Sequence, residues 1–326
     1  MLQFEGRRYE RAADETVLEC LLRHGVAVAS FCRSGACQTC VLKATAGTVP
    51  KSAQLGLKPS QQQQGYFLSC VCRPEAALSV ERCDAAATYE ARVLRVESLS
   101  AEVLRVWLSR PAGLEFRAGQ FVQLERPGDG LMRPYSLASL PSEDELELHV
   151  ARLPNGRMSG WLANAVGQPL LARGPFGECS YTMGEPDRPL ILAGTGTGLS
   201  PLLGVLREAA ENEHLGPISL FHGSRQLTGL YLRAELATLA ARLPTLSLIG
   251  SVLSLTAEEQ QQPGPWQLET GELDQLVISR YPKPVEHRLF LCGNPALVQR
   301  LRKRAYLAGA SLSRIHCDAF AAPHAS

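Results

Sequence analysis

Cys32, Cys37 and Cys40 stand in the stretch FCRSGACQTC with the spacing C-x4-C-x2-C, and Cys70 follows after 29 intervening residues. Thiols so placed hold a metal, carry redox chemistry or pack as small buried groups. The spacing is that of a [2Fe–2S] ligand set, in which four thiolates hold two irons. Close spacing lets one loop wrap the cluster, and the distant cysteine closes the cage from a neighbouring segment. Gly35 and Ala36 add little bulk where backbone N–H groups must approach the sulfurs. Zinc sites favour paired C-x2-C knuckles, and here only Cys37 and Cys40 have that spacing. Cys72 competes with Cys70 for the fourth position.

A second set of residues suits phosphate and ring recognition. In RPLILAGTGTGLSPLLGVLREAAEN, Gly194, Gly196 and Gly198 allow a tight turn and the close approach of a pyrophosphate, with Thr195 and Thr197 between them. Residues 190–193 read as a buried parallel strand, Ser200 as the helix cap, and Pro201 suits the first turn. Strand, glycine turn and helix N-terminus form an anion site, though not the G-x-G-x-x-G of Rossmann dehydrogenases. Upstream, RPYS supplies Arg133 to neutralise a pyrophosphate, Tyr135 to cover a flavin face and Ser136 to hydrogen-bond the flavin's redox-active nitrogen. Alone, these four letters describe a turn around Pro134 equally well.

These groups need scaffolds, and 326 residues are too many for one hydrophobic core. LQFEGRRYE reads as a hairpin. DETVLECLLRHG reads as a helix with Asp14 as N-cap, an apolar face of Val17, Leu18, Leu21 and Leu22, and Gly25 at its stop. Residues 61–64, all Gln, read as a solvated loop. After DAAATY, a linker of small residues, the pattern alternates as antiparallel strands do. The composition, 45% hydrophobic and 20% charged with net charge +1, is that of an ordinary globular protein. Charge so near zero gives no field for nucleic acid or an anionic membrane. No apolar run approaches the roughly 20 residues of a bilayer span, and the start lacks the plan of a signal peptide. A cytoplasmic chain is expected, where ten cysteines act as ligands, redox groups or buried thiols rather than disulfides.

Three resemblances order these observations. Residues 1–84 resemble a plant-type [2Fe–2S] ferredoxin domain of the β-grasp fold, in which the 29-residue interval assigns Cys70 as fourth ligand; Gln38 departs from the small residue usual after the second cysteine. Residues 88–184 resemble the six-stranded antiparallel flavin-binding barrel of the ferredoxin–NADP reductase superfamily, RPYS matching its R-x-Y-[ST] signature. The resemblance implies flavin contacts from Arg133, Pro134, Tyr135 and Ser136, backbone amides at Gly156, Met158 and Ser159 of ARLPNGRMSGWL on the pyrophosphate, and a loop from Gly174 to Gly177 that closes the barrel. Residues 187–326 resemble its parallel-sheet nucleotide domain. There Gly194, Thr195, Gly196, Thr197 and Gly198 would meet the nicotinamide nucleotide, and Arg225 would touch the adenosine or stay solvated. Cys292 would lie beside the hydride-carrying carbon or fill a strand end as a small hydrophobe, and Phe320 would shield the flavin. Val252 stands where NADPH-selective relatives carry an arginine, which favours NADH over NADPH.

In order and length the whole chain is similar to the fused reductases of aromatic-ring dioxygenase and monooxygenase systems, the naphthalene dioxygenase reductase type especially; the CDP-6-deoxyglucoseen reductases share the plan. The resemblance implies an electron-transfer enzyme passing hydride from NADH to FAD and single electrons through the cluster to a terminal oxygenase or similar acceptor. Against it stand a passive electron ferry with a degenerate reductase half and a thiol-based redox sensor. The basic cluster at residues 300–304 reads as a solvated helix face, with docking of an acidic partner as the alternative.

Overall fold

The computed structural model describes residues 1–26, 28, 30, 33, 35, 38–55, 57, 59–82, 87–181, 183–260 and 264–320. The chain divides into two compact units, Met1–Ala87 and Thr88–Phe320.

The first unit contains β1 (Leu2–Phe4), β2 (Arg7–Tyr9), α1 (Val17–Arg23), β3 (Val41–Ala46), α2 (Pro59–Gln63), β4 (Tyr66–Leu68) and β5 (Leu78–Arg82), its sheet ordered β2-β1-β5-β3-β4. The expected hairpin is β1 against β2, with Leu2 opposite Tyr9. Helix α1 lays Val17 and Leu21 on a core with Phe4, Phe67 and Val80, a β-grasp arrangement. Its N-cap is Thr16, not Asp14. Thr16 Oγ1 accepts from the Glu19 N–H at 3.2 Å and the Glu19 carboxylate accepts from the Thr16 N–H at 2.8 Å, a reciprocal capping box. The glutamines are not a loop either: α2 reaches Gln63, and Gln62 Nε2 donates to the Leu57 carbonyl at 2.7 Å. Amides that bond to backbone organise the segment as well as solvate it.

The second unit opens with a barrel: β6 (Thr88–Ser98), β7 (Val103–Ser109), β8 (Phe121–Glu125), β9 (Met132–Ser136), β10 (Glu145–Ala151), α3 (Arg157–Leu162) and β11 (Pro169–Phe176). Every pairing in the order β10-β7-β6-β11-β8-β9 is antiparallel. An antiparallel bridge between Leu137 and Leu148 joins the two edges, so the six strands close. Inward-pointing Val93, Val106, Leu124 and Leu148 fill the interior.

There follow β12 (Leu190–Thr195), α4 (Leu199–Glu211), β13 (Ile218–Gly223), α5 (Arg233–Arg242), β14 (Leu246–Val252), α6 (Ala257–Gln260), β15 (Trp266–Thr270), α7 (Leu273–Arg280), β16 (Arg288–Gly293), α8 (Pro295–Leu307) and β17 (Ile315–Ala319). All strands of the sheet β15-β14-β13-β12-β16-β17 run parallel. Strand alternation divides their side chains between two helix layers. Leu192, Leu220 and Leu248 meet Leu202 and Leu206 of α4, while Ile191, Phe221 and Leu289 meet Val277 of α7 and Leu301 of α8. Burying each leucine contributes roughly 2 kcal/mol. Because the chain leaves β12 toward one edge and returns through β16 on the other side, the order reverses between these neighbours. In open parallel sheets such a switch point forms a crevice at the carboxyl ends of the strands.

Candidate functional site

Both loops at this switch point are built by backbone packing. A Cβ on Gly198 would stand 2.6 Å from the Cys292 carbonyl oxygen and 2.8 Å from Gly293 Cα, and one on Gly194 would stand 3.1 Å from the same carbonyl. Gly293, at φ +106°, presses in return on Thr195. These glycines therefore let the two strand ends touch. Gly196 differs, with φ +53° and open space where a Cβ would point. Gly194 and Gly198 thus make the tight turn, and Gly196 leaves open space beside it. Thr195 Oγ1 accepts from the Asn294 N–H at 3.3 Å, and Asn294 caps α8 by accepting from Ala296 and Leu297 ahead of Pro295.

Ser200 does not cap α4. A 3₁₀ turn at Gly196–Gly198 leads into the helix, whose N-cap position is Gly198. The Ser200 hydroxyl instead donates to the Ser136 carbonyl at 2.8 Å and accepts from the His149 N–H at 3.4 Å. It ties the nucleotide helix to the end of β9, where RPYS lies. The Ser136 hydroxyl in turn donates to Asp318 Oδ2 of β17 at 2.7 Å. Burial pushes the Asp318 carboxyl up to about 6, the Ser136 hydrogen bond opposing it. Ser136 is thus held between α4 and β17.

Around it the other barrel residues fit a flavin nucleotide. Tyr135 packs partly buried against the barrel core, and burial raises its hydroxyl above the usual phenol range. Arg126 and Arg157 pair with Asp129, and Arg173 with Glu125. Arg133, half-buried, donates only to the Met132 carbonyl, at 2.8 Å, among the described residues, which leaves donors for an anion. Met158 is buried in the barrel core, so its backbone is what it can offer a ligand. Gly156 begins α3 at a point where a Cβ would collide with Ser159 Oγ. Gly174, at φ +147°, sits where β11 breaks register, and Phe176 beyond it stacks on Phe121 at 5.5 Å.

Cys292 lies at the carboxyl end of β16. Its thiol is wholly buried, 3.4 Å from Cys179 Sγ, and burial raises its pKa well above the usual thiol range. Cys317, next to this pair, is pushed up to about 12. Val252 is also buried, packed on Leu227 and Leu230, whereas Leu253 is exposed and its N–H donates to the Arg225 carbonyl at 3.3 Å. Arg225 itself is exposed beyond β13. The Phe320 N–H donates to the Gly293 carbonyl at 2.7 Å, which extends the β17 pairing by one residue and puts Phe320 on the strand side of Asp318.

In the first unit Cys40 and Cys70 are buried together with Leu18, Leu57 and Leu68, and the Ser69 hydroxyl donates to the Cys40 carbonyl at 2.7 Å. Cys72 belongs to the separate core under α1, where burial pushes its thiol up to about 12. Cys32 and Cys37 lie outside the described residues, but Arg33, Gly35 and Gln38 between and beside them all have positive φ. The two thiols buried in one cluster fit two of the four ligands of an iron–sulfur centre.

Sequence reasoning missed Asp318 as a partner of Ser136, and Ser200, His149 and Glu147 as the groups behind it. Glu147 and His149 were visible only as the polar face of the alternating ELELHVA.

Comparisons with known proteins agree with this geometry. Residues 2–75 match the model of the 2Fe-2S iron-sulfur cluster binding domain, 90–181 the oxidoreductase FAD-binding domain and 192–303 the oxidoreductase NAD-binding domain. Fold and matches together define an oxidoreductase that uses FAD, NAD(H) and a [2Fe–2S] cluster. The ferredoxin–NAD(P)(+) reductase component of the naphthalene 1,2-dioxygenase system of Pseudomonas putida is 31% identical over 98% of both chains. The reductase subunit of an aromatic O-demethylase from an Amycolatopsis species is 33% identical over 97% of this chain and 96% of its own. The crystal structure of an Amycolatopsis cytochrome P450 reductase superposes with a TM-score of 0.69 at 30% identity, covering 98% of each chain. The chain belongs to this family of fused [2Fe–2S], flavin and nicotinamide reductase components. No described helix is long and apolar enough to cross a membrane.

Proposed function

We propose that the chain draws electrons from NADH and hands them singly to a terminal oxygenase or similar acceptor protein. The observation that carries the reading is the position of Ser136, held by Ser200 of α4 and Asp318 of β17, which ties the end of RPYS to the helix after the glycine loop and to the last strand. Relatives named as components of dioxygenase and demethylase systems support the acceptor class. FAD, when bound, supplies the change from a two-electron hydride to single electrons, which a [2Fe–2S] cluster accepts one at a time.

The chain's own residues bind and orient. Arg133 and the backbone of Gly156, Met158 and Ser159 hold the flavin pyrophosphate, Tyr135 and Pro134 line its ring, and Gly174 shapes the barrel exit. Gly194, Thr195, Gly196, Thr197 and Gly198 receive the nicotinamide, Arg225 the adenosine, and Phe320 covers the ring until the nicotinamide arrives. Cys292 backs the crevice as a neutral thiol. Cys32, Cys37, Cys40 and Cys70 hold the cluster. The functional divisions fall at 1–84, 88–184 and 187–326. Cytoplasmic placement suits Cys20, Cys72, Cys179, Cys292 and Cys317, which form no disulfide.

The test is anaerobic addition of NADH to the purified protein. Flavin bands and cluster absorbance should bleach together, and oxygenase components supplied afterwards should turn over. Protein in which neither chromophore bleaches has lost the reductase reading; iron without flavin favours a passive ferry.

A further inference from the structure

Behind the crevice, charged side chains from barrel and nucleotide sheet are buried together. Glu147 of β10 accepts from Arg105 of β7 at 2.7 Å, from Arg207 of α4 at 2.8 Å and from His149 Nε2 at 3.0 Å. Arg105 also donates to Glu235 of α5 at 2.7 Å and reaches Glu97 at 3.4 Å. Against its burial, the hydrogen bond from His149 and the guanidiniums of Arg207 and Arg105 hold the Glu147 carboxyl well below the usual carboxylate range, and burial lowers the His149 pKa, which favours the neutral ring. A carboxylate only accepts, so the His149 proton is on Nε2 and its Nδ1 is the acceptor. The Tyr231 hydroxyl, 3.0 Å away, therefore donates to Nδ1.

The line continues. The Tyr231 ring stands edge-on to His149 at 5.3 Å and 83° and to His222 at 5.3 Å and 89°. His222 is wholly buried, completes no ring hydrogen bond among the described residues, and stands in register beside Gly194, where the nicotinamide loop begins. Removing ions from water is costly, and an apolar contact of equal size is often at least as stable. What directional bonds add is a single orientation.

We infer that the stack from Glu147 through His149 and Tyr231 to His222 sets the nicotinamide loop, from Gly194 onward, against the strand end that carries Ser136, so that His149, Tyr231 and His222 are positioning residues for hydride transfer. The inference rests on the reductase reading above. His149 serves both ends, since its ring begins the stack and its N–H reaches Ser200, which holds the Ser136 carbonyl.

Tyr231→Phe deletes one hydroxyl and keeps the ring, and His222→Leu removes the ring beside the loop. In the holoprotein, hydrogen exchange of peptides spanning 192–203 should quicken about tenfold in each variant while barrel strands and the first unit stay as in wild type. Flavin reduction by NADH should slow about tenfold, the scale of a misplacement well under 1 Å. The long-wavelength charge-transfer absorbance of nicotinamide over flavin should weaken with FAD content unchanged. The double variant should be no worse than the worse single one, because both interrupt one line. Wild-type exchange and charge-transfer absorbance in both variants would overturn the inference, as would exchange rising uniformly across Thr88–Phe320, the mark of lost stability alone. If NADH fails to reduce even the wild type, the reductase reading falls, and the loop exchange still decides the positioning.

Discussion

Ser136 and Asp318, 182 positions apart in sequence, share a 2.7 Å hydrogen bond in which the serine hydroxyl donates to the carboxylate. A hydroxyl donor favours the ionised acid, yet burial outweighs it and the carboxyl rises from 3.8 to about 6. The folded chain then keeps a proton that the unfolded chain has released, so this group's effect is a loss of stability as pH rises from about 4 to about 6. Above that window the loss is at most about 3 kcal/mol. Asp318→Asn keeps an acceptor for Ser136 and cannot ionise. Its denaturant midpoint, followed against pH, should fall less than wild type across the window, with the two converging below pH 4. Parallel curves would remove Asp318 as the titrating group.

The glycines of the nicotinamide loop should respond unequally. At Gly198 an added methyl meets the Cys292 carbonyl at 2.6 Å, backbone that cannot step aside. At Gly196 it meets nothing, and the cost is that of a left-handed residue, about 1–2 kcal/mol. Gly198→Ala should lower the melting temperature more than Gly196→Ala and push Cys292 from its partner strand. NADH-driven flavin reduction and thermal unfolding measured on both variants rank them. The reverse order would show that Gly196 is the more tightly packed.

Local signals were the legible ones. The β1–β2 hairpin, the strand at β12 and the Asn294–Pro295 helix start each depend on neighbours in sequence, and each stands as expected. Where a distant group competes for the same side chain, local reading fails. Ser200 has the residue type of a cap, but the Ser136 carbonyl, 64 positions away, takes its hydroxyl. Asp14 lost its cap to Thr16 because Glu19 completes a box only with Thr16. Glycine spacing announced a loop without saying which glycines face a ligand and which face Cys292. Nor does any local signal reveal that the polar face of β10 meets Tyr231 and Arg207.

Nucleotide preference follows the same lesson. Val252→Arg was the substitution the sequence suggested for turning the protein toward NADPH. Val252 is wholly buried, so its arginine would place an unpaired guanidinium among Leu227 and Leu230 and cost several kcal/mol. Leu253 is 59% exposed beside Arg225 and can carry a charge at no such cost. Leu253→Arg should raise kcat/KM for NADPH relative to NADH by about tenfold, the worth of one hydrogen bond to a charged group, with folding intact. Val252→Arg should instead unfold at lower denaturant. Steady-state comparison of the two nucleotides, with unfolding curves for both variants, separates the roles; an unchanged preference in Leu253→Arg places the 2′-position elsewhere.

Cys70 and Cys72 lie two residues apart and belong to different cores. Cys70 is buried with Cys40, Leu18 and Leu68, whereas Cys72 is wholly buried with Phe67, Val80 and Leu21 under α1. Alternation along an extended chain would set residues two apart on one side, but the chain turns immediately after β4 and separates them. A hydroxyl cannot replace a thiolate as a soft ligand to iron, so Cys70→Ser should lose most of its iron and the cluster absorbance while flavin bands remain. Cys72→Ser should keep a full complement of iron and lose about 1–3 kcal/mol, the cost of a hydroxyl in an apolar core. Iron content and visible spectra of the two purified variants decide it: iron retained in the first and lost in the second would exchange their roles.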